Sequence, residues 1–206
     1  MTEPTWTVVV PVKRLSAAKS RLRGALPGVP HEPLALALAL DTVSAALASP
    51  AVAGVLVVTD DIAAGRALGA LGARITPDPP TGGLNGAFTL GAALVDGAGV
   101  AALTADLPAL RTAELTAALA AVGAGPPRLR RFAPDTPGTG TVLLVAPAGV
   151  PLDPRFGGPS AAAHTASGAL ALTGAGPTLR RDVDTRADLL AAAALGLGRH
   201  TAALLP

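Results

Sequence analysis

Short runs of apolar, often β-branched residues alternate along this chain with longer segments in which apolar residues recur every three or four positions. The continuous runs predict buried strands, and the longer segments predict helices of about a dozen residues. This alternation is typical of βαβ units joined in a mostly parallel sheet. We therefore predict an α/β protein with three α/β/α layers, formed by residues 1–206 as a single domain.

The predicted elements alternate regularly as far as residue 122, and the second half of the chain is less regular. Strands are predicted at 6–12, 52–59, 73–75, 100–104, 129–132 and 141–145. Helices are predicted at 33–49, 60–72, 84–95, 111–122, within 155–168, and at 188–195. A loop rich in glycine and threonine separates the last two strands.

The composition narrows the functional classes. The absence of cysteine excludes disulfides, thiolate metal sites and thiol nucleophiles. With no tyrosine, one tryptophan and three phenylalanines, the chain lacks the aromatic platforms on which single-stranded nucleic acids stack. The N-terminal run MTEPTWTVVV has an acid where a signal peptide is positively charged. The most apolar stretch, 33–50, contains Asp41 and ends in proline, so we expect a cytoplasmic protein without a membrane helix.

The two lysines are the sharpest signal in the composition. Lys13 and Lys19 both stand in PVKRLSAAKSRLR, directly after the first strand, in a chain whose other basic residues are arginines. Paired compact ammonium groups are typical of phosphate binding. The segment is neither a P-loop nor a GxGxxG motif, but Lys13, Lys19, Arg21 and Arg23 suit a triphosphate clamp. The alternative is a solvated basic loop.

Acidic residues follow other segments of the predicted sheet. Asp106 in LTADLP comes directly after a buried strand, where it either holds Mg²⁺ with substrate phosphates or caps the next turn. Asp182 and Asp184 alternate in DVD and, on a strand, would share one face and the same cation. Alternatively, Asp184 or Thr185 caps the last helix, with Asp188 exposed to solvent.

Two glycine-rich segments are candidate anion sites. PGTGT at 137–141 and RFGGPS at 155–160 let backbone amides approach an anion, and Ser160 stands at the amino end of a helix. A hairpin turn and an ordinary helix cap are the alternatives, and His164 is expected to pack rather than to act as a base. Because ligands bind at the carboxyl ends of parallel strands, these features together predict a nucleotidyltransferase.

The same motifs, in order, resemble a known family. VVVPVKRLSAAKSRL, GLNGA, LTADLPAL, DTPGTGTVLL, RFGGPSAAAH and RRDVDTRADLL span 8–190. They are similar to the guanylyltransferases that make the activated phosphoenolpyruvate or 2-phospho-L-lactate precursor of coenzyme F-420. That family has a Rossmann-like nucleotidyltransferase fold similar to that of the molybdopterin nucleotidyltransferases. The resemblance implies transfer of GMP from GTP to a phosphorylated three-carbon acid, with release of pyrophosphate.

The resemblance also implies a role for individual residues, with Asp106 and Lys19 as the catalytic pair. The residues implied to bind the nucleotide are Lys13, Lys19, Arg21, Gly83 and Asn85. The residues implied to hold the expected cofactor, Mg²⁺, are Asp106, Asp182 and Asp184. The residues implied to bind the carboxylate or phosphate of the acceptor are Thr141, Gly157 and Ser160, with Thr139 beside them.

Three positions depart from the family pattern. Val142 stands where asparagine is frequent, Gly86 where alanine is frequent, and Arg186 where proline is frequent. Val142 adjoins the acceptor segment and so bears most on acceptor choice. Actinobacterial members of the family are associated with phosphoenolpyruvate and archaeal members with phospholactate. The composition, rich in alanine and arginine, resembles an actinobacterial protein, so phosphoenolpyruvate is the expected acceptor.

Two other functions stay open on the sequence alone. One is a nucleotidyltransferase with another acceptor, such as molybdopterin or a sugar phosphate, although an LxGGxSxRMG-like loop is missing. The other is a catalytically silent nucleotide-binding module, against which the acids and lysines argue. Arg128, Arg130 and Arg131 on one strand indicate an exposed edge rather than a nucleic-acid site. The expected partners are GTP, the acceptor and a downstream biosynthetic transferase that takes the product, with no nucleic acid or membrane.

Overall fold

A mixed sheet forms the middle of the molecule, in a computed structural model that describes residues 6–18, 20–26, 28–126 and 128–205. Its strands are β1 (Trp6–Pro11), β2 (Val52–Val58), β3 (Arg74–Thr76), β4 (Gly99–Leu103), β5 (Arg131–Pro134), β6 (Thr141–Ala146) and β7 (Leu170–Ala171). Their order across the described sheet is β3-β2-β1-β4-β6-β5-β7. Strands β3, β2, β1 and β4 run parallel, whereas β6 is antiparallel to both β4 and β5. The predicted mostly parallel, mixed sheet is confirmed.

Helices cover both faces of this sheet. They are α1 (His31–Leu47), α2 (Ile62–Ala70), α3 (Gly83–Ala93), α4 (Thr112–Gly123), α5 (Ser160–Ala166), α6 (Arg186–Leu195) and α7 (Arg199–Ala202). A 3-10 turn at Ser20–Leu22 interrupts the basic segment. Within the described part of the chain, no helix combines the length and apolar character needed to cross a membrane.

Alternation along β1 divides the core into two layers. Val8 and Val10 pack in one apolar cluster, whereas Val9 packs with Phe88 in another. Successive side chains of a strand point to opposite faces, so the two clusters lie on opposite sides of the sheet. The first cluster includes residues of α1, α2 and α4, and the second includes residues of α3. The result is the three-layer α/β/α arrangement that the sequence predicts.

The topology fixes where a ligand binds. The chain leaves β1 towards β2 and β3 on one side and returns to β4 on the other, so the β1/β4 pair is the switch point of the sheet. Helix α3 packs very close to β1 here, because a methyl group at Gly91 would lie 2.3 Å from Val9 Cγ1. This close approach packs the last turns of α3 directly against β1.

Of the two interpretations of the DVD segment, the strand is wrong and the alternative, a helix cap at Thr185, is confirmed. This segment lies outside the assigned strands and bonds to the end of the β4 loop, where Val183 N–H donates to the Asp106 carbonyl at 3.0 Å. The Thr185 hydroxyl and the Asp188 carboxylate form a capping box at the start of α6, so Asp188 serves the cap instead of facing solvent. The capping box that starts α6 therefore determines the backbone conformation at the end of this segment.

The edge prediction for the arginines is also wrong for Arg130. Its guanidinium is half-buried and donates to the Leu152 and Asp153 carbonyls at 3.2 Å and to the Asp153 carboxylate at 3.0 Å. Strand β5 is covered on its outer side by β7, which the sequence does not predict. Arg130 is thus a structural residue that holds the chain after β6.

Candidate functional site

A cleft of about 370 Å³ opens at the carboxyl ends of β1 and β4. Lys13 and Arg21 from the basic segment line it together with Asp106, which follows β4, and Asp184, which precedes α6. Apolar side chains of α1, including Leu38, line the same cleft. Three segments that lie far apart in the sequence thus bring two cations and two carboxylates to one cleft.

An acid at the start of α2 holds the basic segment in position. Asp61 Oδ2 accepts a hydrogen bond from Leu15 N–H at 2.9 Å, and Asp61 Oδ1 accepts from Ala64 N–H at 2.9 Å. The Ala64 bond, aided by the Leu15 bond, lowers the pKa of Asp61 although burial opposes the change. The backbone at Leu15, two residues after Lys13, is thereby tied to the start of α2.

The loop that carries Asp106 is held from two sides. Thr42 on α1 donates to the Leu38 carbonyl and accepts from Leu107 N–H, both at 2.9 Å. On the other side, the Asp106 carbonyl accepts from Val183 N–H. Asp106 is half-buried and Asp184 is exposed at the mouth of the cleft. The Val183 bond sets the distance between the two carboxylate-bearing segments.

The carboxylates at this cleft suit a hard cation. Mg²⁺ is usually held by one or two carboxylates and completes its shell with water and substrate phosphates, so Asp106 and Asp184 fit such an ion. Among the residues that the structure describes, no group of three or more histidine, cysteine, aspartate or glutamate side chains is gathered as a metal site. Asp182 therefore stays a predicted third ligand. Of the three predicted metal ligands, Asp106 and Asp184 are the two that line the same cleft.

A second cavity of about 230 Å³ adjoins the cleft. Lys13 and Leu84 line both, and the second cavity adds Gly83, Asp60 and Asp78. The predicted nucleotide loop 83–85 therefore reaches the cavity through its first two residues. Their position beside Lys13 makes the two cavities a single elongated groove over β1.

Asn85, the third residue of that loop, turns away towards the second glycine-rich segment. Its carboxamide oxygen accepts from Phe156 N–H at 2.8 Å, and its amide group donates to the Phe156 carbonyl at 3.0 Å. Asn85 thus joins α3 to the RFGGPS segment. One residue later, a methyl group at Gly86 would lie 2.8 Å from the Thr81 carbonyl oxygen, so glycine at this departure from the family pattern allows the tight approach of 79–82.

The PGTGT loop is organised by an acid that the sequence analysis does not single out. Asp135 accepts from Gly138 N–H at 2.7 Å, Thr139 N–H at 2.9 Å and Gly140 N–H at 2.9 Å. These amides were expected to face an external anion, but they bind the carboxylate of Asp135 within the loop. An aspartate before a Thr-Pro-Gly turn is the signal that predicts this, because its side chain bonds to the following backbone.

Arg180 holds the same loop from outside. Its Nε donates to the Pro134 carbonyl at 3.1 Å and its Nη2 to the Asp135 carbonyl at 2.7 Å. In return, the Thr136 hydroxyl donates to the Arg180 carbonyl at 3.0 Å. The PGTGT loop is therefore fastened to the segment that continues into Asp182 and Asp184. Sequence spacing carries no signal for this clamp.

His164 sets the orientation of the Thr141 hydroxyl. His164 is fully buried beside Phe132 and Phe156, as expected for a packing residue, and its Nε2 accepts from Arg155 N–H at 3.0 Å. An imidazole that accepts at Nε2 is neutral and carries its proton on Nδ1. Nδ1–H then donates to Thr141 Oγ1, 2.9 Å away, which leaves the Thr141 hydroxyl proton to donate to another group.

The other predicted acceptor residues lie around Thr141. The Thr139 carbonyl accepts from Ala161 N–H at 3.0 Å, which joins the PGTGT loop to α5. Ser160 is buried as the first residue of α5; the cap position is Pro159, so Ser160 is not the helix cap. Gly157 is exposed. Thr139 and Thr141 are thus bonded to α5, through Ala161 and His164, and among the described residues none of the four predicted acceptor residues lines the cleft.

Lys19, predicted both as a catalytic and as a nucleotide-binding residue, lies outside the described residues.

We predict that His164 makes the protein acid-sensitive. Burial, followed by the positive charge of Arg130, lowers the pKa of His164 from 6.5 to about 4. Between those values the unfolded chain binds the extra proton, so stability rises with pH and is lost as the pH falls from about 6.5 to 4. Wild-type protein should lose roughly 2 to 3 kcal/mol more unfolding free energy than His164→Gln between pH 7.5 and 4.5.

Denaturant titrations at the two pH values measure this difference. His31→Gln is the matched control, because His31 is only half-buried on the surface of α1. The control should follow the wild type. Equal pH dependence of the wild type and His164→Gln would contradict the prediction.

Comparison with known proteins gives a family and a fold. Residues 6–165 match the model of a family described as "Guanylyl transferase CofC like". A phosphoenolpyruvate guanylyltransferase of Salinispora arenicola is 68% identical over 199 residues, covering 97% of this chain and 92% of that protein. The enzyme of the same name from Geodermatophilus obscurus is 60% identical over 205 residues, covering 97% and 94% of the two chains.

A solved structure resembles the fold. It is CMP:2-keto-3-deoxy-manno-octonic acid synthetase complexed with CTP, with a TM-score of 0.61 and 17% sequence identity. The match covers 93% of this chain and 98% of that one. At this identity the likeness concerns the architecture, and it confirms the predicted α/β nucleotidyltransferase fold.

Proposed function

The chain belongs to the family of CofC-like guanylyl transferases, and from this premise we propose that it transfers GMP from GTP to phosphoenolpyruvate in coenzyme F-420 biosynthesis. The observation that carries the proposal is the cleft in which Lys13 and Arg21 stand with Asp106 and Asp184. Cations for a triphosphate and carboxylates for a metal ion are what nucleotidyl transfer needs. Pyrophosphate is the second product.

Lys13 and Arg21 bind the GTP phosphates in this proposal. Lys13 lies where the cleft and the second cavity meet, so a nucleotide can place its phosphates in the cleft and its base in the cavity. Arg21 has the guanidinium fork that suits phosphate oxygens. Lys19 belongs to the same basic segment and is proposed to add a third cation.

Asp106 and Asp184 hold the metal ion, which we propose to be Mg²⁺, with Asp182 close by in sequence. When bound, the ion neutralises negative charge on the phosphates of GTP and the acceptor. Asp106 is anchored through its carbonyl to Val183 and through the next residue to Thr42, so the backbone that carries its carboxylate is held in place before substrates arrive. Preorganised charge of this kind is the main source of catalysis when no covalent nucleophile is supplied.

The acceptor is proposed to bind next to the cleft, at Thr139, Thr141, Gly157 and Ser160. Thr141 is proposed to donate its hydroxyl proton to the acceptor's carboxylate or phosphate, because His164 already donates to its oxygen. An ionised phosphate oxygen of phosphoenolpyruvate then attacks the α-phosphorus of GTP as the bond to pyrophosphate breaks. That oxygen carries no proton to remove, so the reaction needs no general base. A downstream transferase consumes the resulting guanylyl adduct.

Mass spectrometry on stoichiometric protein tests the function directly. Protein is incubated with Mg²⁺, the four nucleoside triphosphates, and either phosphoenolpyruvate or 2-phospho-L-lactate. We expect a GMP adduct of phosphoenolpyruvate together with pyrophosphate. An adduct with phospholactate alone would keep the reaction but change the acceptor. GTP that stays bound and uncleaved would point to another phosphorylated acceptor or to a silent nucleotide-binding module.

A further inference from the structure

The second cavity has a lining of mixed charge. Asp60 and Asp78 place two carboxylates on it, at the carboxyl ends of β2 and just beyond β3. Lys13, at the border with the cleft, and Arg14 add two cations, so neither charge is in excess on the lining. The remaining contacts include Pro11, Leu84 and other apolar groups. The cavity thus suits a flat, uncharged ring whose edge donates hydrogen bonds.

Asp78 is the carboxylate with unmet hydrogen-bonding capacity. Asp60 is exposed, and its Oδ1 already accepts from Asp78 N–H at 3.1 Å. Asp78 is half-buried, and its Oδ1 is shielded from solvent without a hydrogen-bond partner in the described part of the chain. Leaving a buried acceptor unpaired costs free energy. A ligand that donates hydrogen bonds to Asp78 removes this cost and therefore binds more tightly.

The surroundings of Asp78 favour the same ligand. Loss of solvation, followed by the negative charge of Asp60, raises the pKa of Asp78, and Lys13 partly opposes the change. A ligand with N–H donors would stabilise the charged carboxylate and remove this penalty. The terminal torsion of an aspartate is broad, so both oxygens can turn towards such an edge.

We propose that Asp78 selects guanine, by accepting hydrogen bonds from N1–H and the 2-amino group of the base in the second cavity. The inference rests on the proposed function, because it takes GTP as the nucleotide whose phosphates lie at Lys13. Guanine presents two adjacent N–H donors that match the two oxygens of one carboxylate. Adenine offers one donor beside an acceptor nitrogen, cytosine does the same, and uracil has a single N–H between two carbonyls. A carboxylate therefore discriminates against all three.

Comparison of GTP with inosine triphosphate tests the assignment, because inosine lacks only the 2-amino group. The constant kcat/KM with phosphoenolpyruvate and Mg²⁺ is measured for both nucleotides, and for ATP, by pyrophosphate release. The wild type should prefer GTP over inosine triphosphate by at least about tenfold, the size expected for one hydrogen bond to a charged group. Asp78→Ala should bring the two nucleotides within about twofold of each other, with the loss falling on GTP.

Two further variants separate base selection from a structural effect. Asp78→Asn keeps the size of the side chain and one acceptor oxygen, so its preference should lie between those of the wild type and Asp78→Ala. Asp96→Ala changes an exposed aspartate between α3 and β4 and should keep the full preference. An unchanged preference in Asp78→Ala, or equal losses with GTP and inosine triphosphate, would overturn the proposal.

Equilibrium titration separates this proposal from the proposed function. Dissociation constants for GTP and inosine triphosphate are measured on the same proteins without acceptor. A wild-type preference that Asp78→Ala abolishes supports guanine selection even where phosphoenolpyruvate is not guanylylated. Turnover with phosphoenolpyruvate that keeps its GTP preference in Asp78→Ala supports the function and overturns the role of Asp78.

Discussion

Asp106→Asn is expected to lower kcat for GMP transfer by at least about 100-fold while the protein stays folded. The substitution keeps the shape of the side chain and removes the negative charge that is proposed to bind the metal ion. Because the Asp106 carbonyl, not its carboxylate, bonds to Val183, the connection to the segment before α6 survives. The binding constant for GTP should change far less than kcat, since Lys13 and Arg21 remain. Steady-state pyrophosphate release and GTP titration measure the two quantities.

Asp96→Asn is the matched control for this variant, because it removes the same charge from an exposed loop. It should retain wild-type turnover. Turnover of Asp106→Asn close to that of the wild type would show that Asp106 does not hold the metal ion.

Arg180→Ala is expected to reduce kcat/KM for phosphoenolpyruvate by about 100-fold, the cost of a misplacement near 1 Å in a reacting group. The variant loses the bonds to the Pro134 and Asp135 carbonyls that hold the PGTGT loop in place. In the proposed arrangement GTP binds in the cleft, whose lining includes no residue of the PGTGT loop among the described residues, so the KM for GTP should change less than about threefold. Kinetics with each substrate varied in turn measure the split.

Two further variants test the Arg180 prediction. Arg180→Lys keeps the charge but lacks the planar fork, so its activity should fall between those of the wild type and Arg180→Ala. Arg66→Ala removes an exposed arginine of α2 and should leave both constants unchanged. Equal losses for GTP and phosphoenolpyruvate in Arg180→Ala would indicate general unfolding instead of a displaced acceptor loop.

The sequence predicts the cleft well because its parts follow strands. Buried parallel strands are continuous apolar runs, so their ends are visible in the sequence, and their carboxyl ends meet at one edge of the sheet. Lys13 and Asp106 each come within a few residues of such an end, and the structure brings both into one cleft. Thr141 lies at the same edge for a different reason: it begins β6, which runs antiparallel to β4, so the amino end of β6 lies beside the carboxyl end of β4.

Other parts of the site depend on contacts that local patterns do not encode. Arg180 bonds to carbonyls about 45 residues away, and Asn85 bonds to Phe156 over 71 residues. Asp78 follows a strand of three residues, too short for its end to mark a site. Asp182 and Asp184 read as a strand by alternation, but the capping box at Thr185 ends the segment in a helix start. Local alternation predicts extended backbone only where a neighbouring strand is available to pair with it.

The Arg180 clamp joins the PGTGT loop to the segment that bears Asp182 and Asp184. In the proposed arrangement the acceptor binds at the first and the metal ion at the second, so each would stabilise the same arrangement of backbone. Linkage is reciprocal: by whatever factor the metal ion tightens acceptor binding, the acceptor tightens metal binding. We therefore expect the metal ion to be retained most firmly when both substrates are bound and to be released most readily after the product has left.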